Sequence, residues 1–241
     1  MALFHKTENY IRKLNFQPSI IGILVNPFYL IRLHLYKKIK YLSKHITGNL
    51  IDFGCGRKPY ENLFNVDTYV GVDIEVSGHS HKLSKIDVYY DGKAIPFPDN
   101  TFESMICFEV LEHIFNPAEI VPELNRVLKP NGKILLSVPF CWNEHEIPFD
   151  YARYSSFGIK HLLEQHGFNV IEIHKTGNFN LVLFQLRILS IYEFLKPLGK
   201  LGYAITLFFS IPLSLLGILV GLFSSKNPSM YFNTIVLAEK K

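Results

Sequence analysis

Short apolar runs alternate with amphipathic stretches along the middle of this 241-residue chain. Apolar runs bounded by turn residues predict strands at 50–53, 69–73, 103–108, 133–138, 168–174 and 233–238. Apolar residues at helical spacing predict helices at 116–128 and 154–166. Strands that alternate with helices in this way indicate an α/β fold, with a largely parallel sheet and helices on both of its faces.

A further helix is predicted from about Pro27 to His45, ahead of the first strand. One of its faces is basic, and the other is aromatic and aliphatic. Two interpretations fit this pattern. The helix packs on the domain with its lysines in solvent, or it contacts a membrane surface or an acidic ligand.

The composition is that of a folded protein, with 48% hydrophobic, 14% aromatic and 19% charged residues. The net charge is +4, and there is no basic arm or basic–aromatic platform, so nucleic acid is not an expected partner. Cys55, Cys107 and Cys141 are odd in number and far apart, which favours a reduced cytoplasmic chain over a disulfide framework. Charged residues near the start do not have the layout of a signal peptide.

Two glycines follow the first predicted strand, in the stretch from Asp52 to Gly56 (DFGCG). Glycines there let the backbone approach a ligand closely, and Asp73, which ends the next strand, is placed to bind ribose hydroxyls. A dinucleotide site requires a third glycine, but this chain has Pro59 at that position. Asp52 would also repel a pyrophosphate and attract a cationic amino group. The pattern favours S-adenosylmethionine, which carries an ammonium and a sulfonium and no phosphate.

Three more motifs follow in order, at 91–102 (DGKAIPFPDNTF), 110–113 (VLEH) and 126–132 (RVLKPNG). Together with the glycine loop they resemble the class I methyltransferases, specifically the type 11 group, over residues 50–138. The resemblance implies a Rossmann-like, doubly wound sheet of seven strands with an antiparallel last strand, and S-adenosylmethionine as cofactor. The apolar stretch before the last strand would then be a hydrophobic helical insertion.

The resemblance also implies cofactor-binding roles for particular residues. Asp52 would hold the amino group, Gly54 and Gly56 would line the methionine part, Asp73 would bind the ribose, Asp91 would contact the adenine amino group, and Phe108 and Glu109 would border the methyl group. The loop from Arg57 to Tyr60 departs from the small residues usual in the family. His113 lies in a helical motif, which favours a structural role.

The segment after the fifth strand of the family fold, residues 139–155, is dense in aromatic and titratable residues. Loops at the carboxyl ends of strands form the ligand crevice of a doubly wound sheet, so this acceptor loop should overhang the methyl group. It resembles a subgroup with an HExPxDYxRY-like signature, which is met in surface-polysaccharide and glycolipid contexts. The candidate catalytic residues are His145 as base, Glu146, Asp150 and Arg153.

Two alternatives apply to the acceptor loop. His145, Glu146, Asp150 and Arg153 are equally well explained as a hydrogen-bonded network that fixes the loop. Metal-ligand residue types also occur at 144–146 and at 79–81 (HSH), but neither run has the spacing of a closed metal site, so no metal is predicted.

An uncharged apolar run from Leu201 to Phe223 is long enough to span a bilayer. One crossing would place the last strand on the wrong side of the membrane, which leaves a hairpin, two crossings, or a lid or dimer interface packed on protein. Pro212, and the charges that precede the run, favour a hairpin lying in one leaflet, with Lys200 and Lys226 near the headgroups. We therefore expect a peripheral or monotopic protein on the cytoplasmic face of a membrane.

These features divide the chain into an N-terminal helical segment, a methyltransferase core containing the acceptor loop, the hydrophobic insertion and the final strand of the core, at 1–47, 48–178, 179–228 and 229–241. The favoured function is methyl transfer from S-adenosylmethionine to a small or lipid-linked acceptor, such as a sugar hydroxyl in surface-glycan synthesis. A quinone or lipid methyltransferase and a non-catalytic S-adenosylmethionine-binding protein are the alternatives. The pattern does not specify the acceptor or the oligomeric state.

Overall fold

The structure, a computed structural model, describes residues 13–76, 84–224 and 228–241. The chain forms two compact units. The sheet unit comprises Ile39–His174 and Asn233–Lys241, and the helical unit comprises Met1–Lys38 and Lys175–Phe232. His79 and His81, considered above as metal-ligand types, lie outside the described residues.

Seven strands form one sheet in the order β3-β2-β1-β4-β5-β7-β6. The strands are β1 (Asn49–Phe53), β2 (Thr68–Ile74), β3 (Val88–Tyr90), β4 (Phe102–Phe108), β5 (Leu128–Pro139), β6 (Phe168–Lys175) and β7 (Asn233–Lys240). The pairs from β3 through β5 are parallel, whereas β7 pairs antiparallel with β5, with Leu135 opposite Leu237. This confirms the predicted Rossmann-like sheet with its antiparallel last strand.

Five α-helices lie wholly within the described residues, and residues 13–16 are helical as well. The five are α1 (Tyr29–Leu42), α2 (Pro117–Val127), α3 (Ser156–Gln165), α4 (Phe179–Leu195) and α5 (Gly199–Gly221). In α2, proline occupies the first helical position, where its missing N–H is not needed. The α3 helix begins at Ser156 because the Ser155 side chain caps it, accepting a hydrogen bond from the Gly158 amide.

The core of the sheet unit contains the side chains on which the strand predictions rest. Ile51, Met105 and Leu136 are fully buried in the central strands, and Val121 and Leu124 of α2 belong to the same cluster. Burial of such a side chain contributes about 1.5–3 kcal/mol. The central strands are therefore held rigidly, and the loops at their carboxyl ends have a fixed base.

The helical unit contains an antiparallel hairpin of α4 and α5. Their ends meet where the Asn178 side chain, which caps α4, donates a hydrogen bond to the carbonyl of Gly221. The chain reverses through a short 3-10 turn at Lys196–Leu198 and Gly199, whose φ is +59°. The α5 helix then continues through Pro212 without a break.

The hairpin buries small and polar residues and exposes large apolar ones. The buried residues of α5 are Gly202, Thr206, Ser210, Ser214 and Gly217. Leu, Ile, Val and Phe side chains of this helix lie at intermediate or exposed positions instead. Within the described residues, Phe179–Gly221 is long and apolar enough to cross a membrane, with a mean hydropathy of 2.2 and 22% of its most apolar window buried.

Candidate active site

The loop after β1 is fixed to the end of β2. The amides of Gly54 and Cys55 both donate to the carbonyl of Val72, at 2.8 and 3.1 Å. The Gly56 amide donates to the carboxylate of Asp73 at 2.9 Å. Gly54 has a φ of +74°, and a Cβ on it would lie 2.3 Å from a methyl carbon of Val110. Only glycine fits this position, for both conformational and steric reasons.

A cavity of about 310 Å³ opens at the carboxyl ends of β1, β2 and β4. Its described lining residues are Phe53, Gly54, Asp73, Ile74, Val76, Tyr90, Gly92, Glu109, Val110, His113, Ile114, Phe115, Glu146, Phe149 and Tyr151. This is the edge of a doubly wound sheet at which ligands bind. Of the predicted cofactor residues, Gly54, Asp73 and Glu109 line the cavity, and Glu146 joins them from the acceptor loop.

Asp52 lies behind the glycine loop, buried in the sheet unit. Its carboxylate accepts a hydrogen bond from the Tyr69 hydroxyl at 2.6 Å. Burial raises the pKa of Asp52 to about 7, against the opposing effects of the Tyr69 hydrogen bond and the charge of Lys58. A cation that binds nearby would therefore favour loss of the proton from the Asp52 carboxyl.

The remaining predicted cofactor residues occupy different surroundings. Asp91 is exposed and accepts hydrogen bonds from the amides of Lys93 and Ala94, while its neighbour Gly92 lines the cavity. Phe108 packs edge-on against Tyr60, with ring centroids 5.5 Å apart. Neither Asp91 nor Phe108 is among the described residues that line the cavity.

The Glu109 carboxylate is held at the end of β4 by two hydrogen bonds. It accepts one from the Ser137 hydroxyl at 2.6 Å and one from the Asn233 side chain at 2.8 Å. Its backbone φ of +56° lies in the left-handed region, which is uncommon for a residue with a side chain. A conformation of this kind persists where the surrounding contacts require it.

Asp150 and Arg153 form a tight network at the base of the acceptor loop. Arg153 donates to both carboxylate oxygens of Asp150, at 2.5 and 2.7 Å, and to the carbonyl of Asn143. The backbone amide of His145 also donates to Asp150, at 2.8 Å. Burial would raise the pKa of Asp150, but the hydrogen bonds from Arg153 and His145 outweigh it and lower that pKa to about 2. Asp150 therefore carries a negative charge at neutral pH.

His145 packs against His113, with ring centroids 4.8 Å apart. Its Nδ1 lies 3.1 Å from an Asp150 oxygen. Burial and the neighbouring His113 lower the pKa of His145, so the imidazole is neutral at neutral pH. The four candidate catalytic residues are thus close together, with Glu146 at the cavity wall and Asp150 and Arg153 behind it.

Two residues beside this network were not among the candidate site residues. Glu112 is fully buried, and both of its carboxylate oxygens have no hydrogen-bond partner among the described residues. His113 was expected to be structural, yet it lines the cavity. The VLEH motif contains both, but its local spacing does not reveal that the acceptor loop folds back on them.

The donor set of the cavity fits S-adenosylmethionine. Three carboxylates, Asp73, Glu109 and Glu146, stand among largely apolar and aromatic walls, and no lysine or arginine is among the described lining residues. Carboxylates attract an ammonium or a sulfonium, whereas a pyrophosphate requires basic groups or free amides. The Gly56 amide, which could bind a phosphate, already donates a hydrogen bond to Asp73.

Comparison with known proteins agrees with this geometry. Residues 29–173 match the methyltransferase domain family. A Mycolicibacterium smegmatis protein named "Probable S-adenosylmethionine-dependent methyltransferase" is 26% identical over 54% of this chain and 51% of its own length. The ubiquinone biosynthesis O-methyltransferase of Thiobacillus denitrificans is 27% identical over 36% of this chain and 43% of its own. The chain spans about half the length of the first curated relatives it matches.

A solved structure shares the fold. The phosphoethanolamine N-methyltransferase 2 of Haemonchus contortus, in complex with phosphomonomethylethanolamine and S-adenosylhomocysteine, superposes with a TM-score of 0.56 at 18% identity, covering 98% of this chain and 57% of that one. This chain belongs to the methyltransferase domain family, within the class I fold. Its cofactor is S-adenosylmethionine, as the sequence predicts.

Proposed function

We propose that this protein transfers the methyl group of S-adenosylmethionine to a hydroxyl of a lipid-linked or small acceptor at a membrane surface. The cavity carries the proposal, because Asp73, Glu109 and Glu146 of the acceptor loop all line it. A cationic methyl donor and an acceptor can therefore meet in one space. S-adenosylmethionine supplies a methyl group on a positive sulfur, and the protein has to align the acceptor and accommodate its proton.

On the donor side, each predicted residue has a role that its position supports. Asp73 binds the ribose hydroxyls from the end of β2, and Gly54 and Gly56 let the methionine part approach the backbone. Asp52 supplies negative charge for the amino group from behind the loop. Asp91, next to Gly92 of the cavity lining, would contact the adenine amino group, and Phe108 and Glu109 would border the methyl group.

On the acceptor side, His145 is the candidate base, because it is neutral at neutral pH. Glu146 borders the cavity and would contact the acceptor. Asp150 and Arg153 are positioning residues, since their hydrogen bonds fix the backbone of the acceptor loop at His145 and Asn143.

The helical hairpin supports attachment to a membrane. In water, a helix buries its large apolar face, but α5 buries glycine, serine and threonine and exposes leucine and phenylalanine. Small residues between helices and large apolar residues outside are typical of packing in lipid. With 23 residues, α5 is about 34 Å long, so it can present a long apolar surface to one leaflet. Attachment through the hairpin would hold the protein at the cytoplasmic face of a membrane, where lipid-linked acceptors are found.

The acceptor loop favours a sugar hydroxyl of a surface-glycan intermediate, through its HExPxDYxRY-like signature. A quinone is the second candidate, and the relative named as a ubiquinone biosynthesis O-methyltransferase supports it. Both acceptors are held in or at a membrane, so the hairpin suits either one.

The test is transfer of a radiolabelled methyl group from S-adenosylmethionine to membranes of the organism that makes the protein. The proposal predicts label in lipid-linked oligosaccharide, which mild acid releases into water. Label that stays in organic solvent as a quinone would favour the second candidate. Absence of label in any fraction, from protein that binds the cofactor, would contradict the enzymatic proposal.

A further inference from the structure

Three potential metal ligands meet beside the cavity. Glu112 and His113 follow β4, and His145 comes from the acceptor loop. One ligand atom of each residue lies within 4.8 Å of the other two. Two imidazoles and a carboxylate form a donor set typical of catalytic sites for divalent transition metals.

Each imidazole has one nitrogen next to hydrogen-bond acceptors, which leaves its other nitrogen available as a ligand atom. Nδ1 of His113 lies 2.8 Å from the carbonyl oxygen of Phe149, which can only accept, so this nitrogen carries the proton. The lone pair of His113 is then on Nε2, 3.8 Å from a Glu112 oxygen and 4.0 Å from a Glu146 oxygen. Nδ1 of His145 lies 3.1 Å from an Asp150 oxygen and 3.3 Å from the carbonyl oxygen of Asn143, which leaves the Nε2 of His145 as the acceptor. An oxygen behind each imidazole is the usual second layer of a metal site.

Glu112 is the observation that points to a ligand. Its side chain is fully buried, and neither carboxylate oxygen has a hydrogen-bond partner among the described residues. An ionised carboxylate is strongly unfavourable when it is buried without partners. The hydrogen bonds of Arg153 go to Asp150 and to carbonyl oxygens, so within the described residues Arg153 donates none to Glu112. A cation beside Glu112 would compensate the charge of its carboxylate.

We propose that Glu112, His113 and His145 bind one divalent transition-metal ion, such as Zn²⁺, at the wall of the cavity. Ligand atoms in a tetrahedral zinc site lie about 3.4 Å apart, so the three side chains would close by roughly an ångström when the ion binds. Because His113 and Glu146 line the cavity, the open coordination position faces the acceptor. An oxygen of the acceptor would occupy it.

This inference deepens the proposed function and rests on it, because the ion would hold the acceptor hydroxyl that is methylated. In the metal-loaded protein, His145 holds the ion and is no longer the base. As the acceptor oxygen forms its bond to the methyl carbon and the carbon–sulfur bond breaks, the hydroxyl proton would pass to the Glu146 carboxylate. Metal coordination lowers the pKa of a bound hydroxyl, which favours this transfer.

The experiment uses full-length protein without a histidine tag, treated with chelator and titrated with Co²⁺ alone. We expect one equivalent of Co²⁺ to bind, with the visible absorption of four- or five-coordinate cobalt, and to be displaced by Zn²⁺. Glu112→Gln and His145→Asn should each weaken binding at least about tenfold, and Asp150→Asn should weaken it about 10- to 100-fold through His145. His161→Asn, at an exposed position on α3, is the matched control and should bind as the wild type does.

S-adenosylmethionine binding is measured calorimetrically on the same samples, which separates the two proposals and shows that each variant is folded. Protein that binds S-adenosylmethionine but no Co²⁺ would overturn the metal site and leave the proposed function intact. Equal Co²⁺ binding by the wild type, Glu112→Gln and His145→Asn would also overturn it. Co²⁺ binding that depends on Glu112 in protein that does not bind S-adenosylmethionine would support the site and contradict the proposed function.

Discussion

The carboxylate of Asp73 accepts a hydrogen bond from the backbone amide of Gly56 at 2.9 Å. Its other oxygen accepts one from the amide of Ile74 at 2.8 Å, so both carboxylate oxygens are held by backbone amides. This relationship ties the end of β2 to the loop after β1 and sets the shape of the cavity wall. The two glycines of the loop differ in their surroundings, and this difference can be measured.

Alanine at Gly54 should destabilise the protein more than alanine at Gly56. Both positions have positive φ, which costs an alanine about 1–2 kcal/mol. A Cβ at Gly54 would also overlap Val110, which adds about 1–3 kcal/mol, whereas a Cβ at Gly56 meets nothing within 4 Å. Urea denaturation of the two variants measures the difference. Equal free energies of unfolding would contradict the described loop.

Affinity for S-adenosylmethionine should increase with pH if Asp52 faces its amino group. Because the pKa of Asp52 is about 7, the carboxyl is largely neutral at pH 5.5 and must lose a proton to attract the cation. We expect affinity to rise about tenfold from pH 5.5 to pH 7, where the amino group of the ligand stays protonated. Calorimetry in buffers of different ionisation enthalpy would detect the released proton.

Variants of Asp52 and of its hydrogen-bond partner Tyr69 give the controls. Asp52→Asn should abolish the pH dependence, and Tyr69→Phe, which removes a hydrogen bond that lowers the pKa of Asp52, should move the rise in affinity to higher pH. The stability of the protein should change with pH in the opposite direction to the affinity. A carboxyl whose folded pKa exceeds its unfolded value of about 3.9 lowers the free energy of unfolding as pH rises from about 4 to 7. A pH profile of binding that is the same in Asp52→Asn and the wild type would exclude Asp52 from the site.

Arg153→Gln should destabilise the acceptor loop and reduce methyl transfer while leaving cofactor binding unchanged. Asp150 is 3% exposed, so loss of its arginine leaves a buried, uncompensated carboxylate, at a cost of about 3–5 kcal/mol. The exposed Lys160–Glu164 pair on α3, 3.8 Å apart, is the control, and Lys160→Gln should cost less than about 0.5 kcal/mol. Thermal denaturation checks both values. Loss of cofactor affinity in Arg153→Gln would argue against a role confined to the acceptor side.

Lysine at Leu215 and Leu219 together should release the protein from membranes. The two side chains are 55% and 56% exposed and one turn apart on α5. A lysine costs up to about 2.5–3.5 kcal/mol when it enters the apolar layer of a membrane, and the cost is largest at the centre of a helix. Flotation with vesicles measures the bound fraction, and Phe157→Lys, at an exposed position on α3, should leave it unchanged. Equal flotation of both variants would indicate that α5 does not enter lipid.

The sequence predicted the central sheet and the donor side of the cavity well, because both depend on local signals. Buried strands appear as apolar runs, and a glycine loop followed by Asp73 marks a strand-to-loop turn that a ligand approaches. The short β3 escaped prediction because its three residues are only partly buried and form no apolar run. Such an edge strand forms through pairing with β2, which no local pattern indicates.

The acceptor side was harder to predict, because its geometry depends on contacts between distant residues. Glu112 and His145 are 33 positions apart, and the spacing of ligands along the chain does not reveal that they meet. The hairpin was expected from the apolar run, but its inverted burial was not. Only helix packing shows that serine and threonine face inward and leucine outward.

The central claim is that this cavity binds S-adenosylmethionine through Asp73. Calorimetric titration of detergent-solubilised wild type, Asp73→Ala and the exposed control Asp67→Asn tests it most directly. We predict micromolar binding of S-adenosylmethionine and its demethylated product to the wild type and the control, with at least a tenfold loss in Asp73→Ala, or about 1.4 kcal/mol. Absence of binding to the folded wild type, or equal binding to Asp73→Ala, would contradict the account.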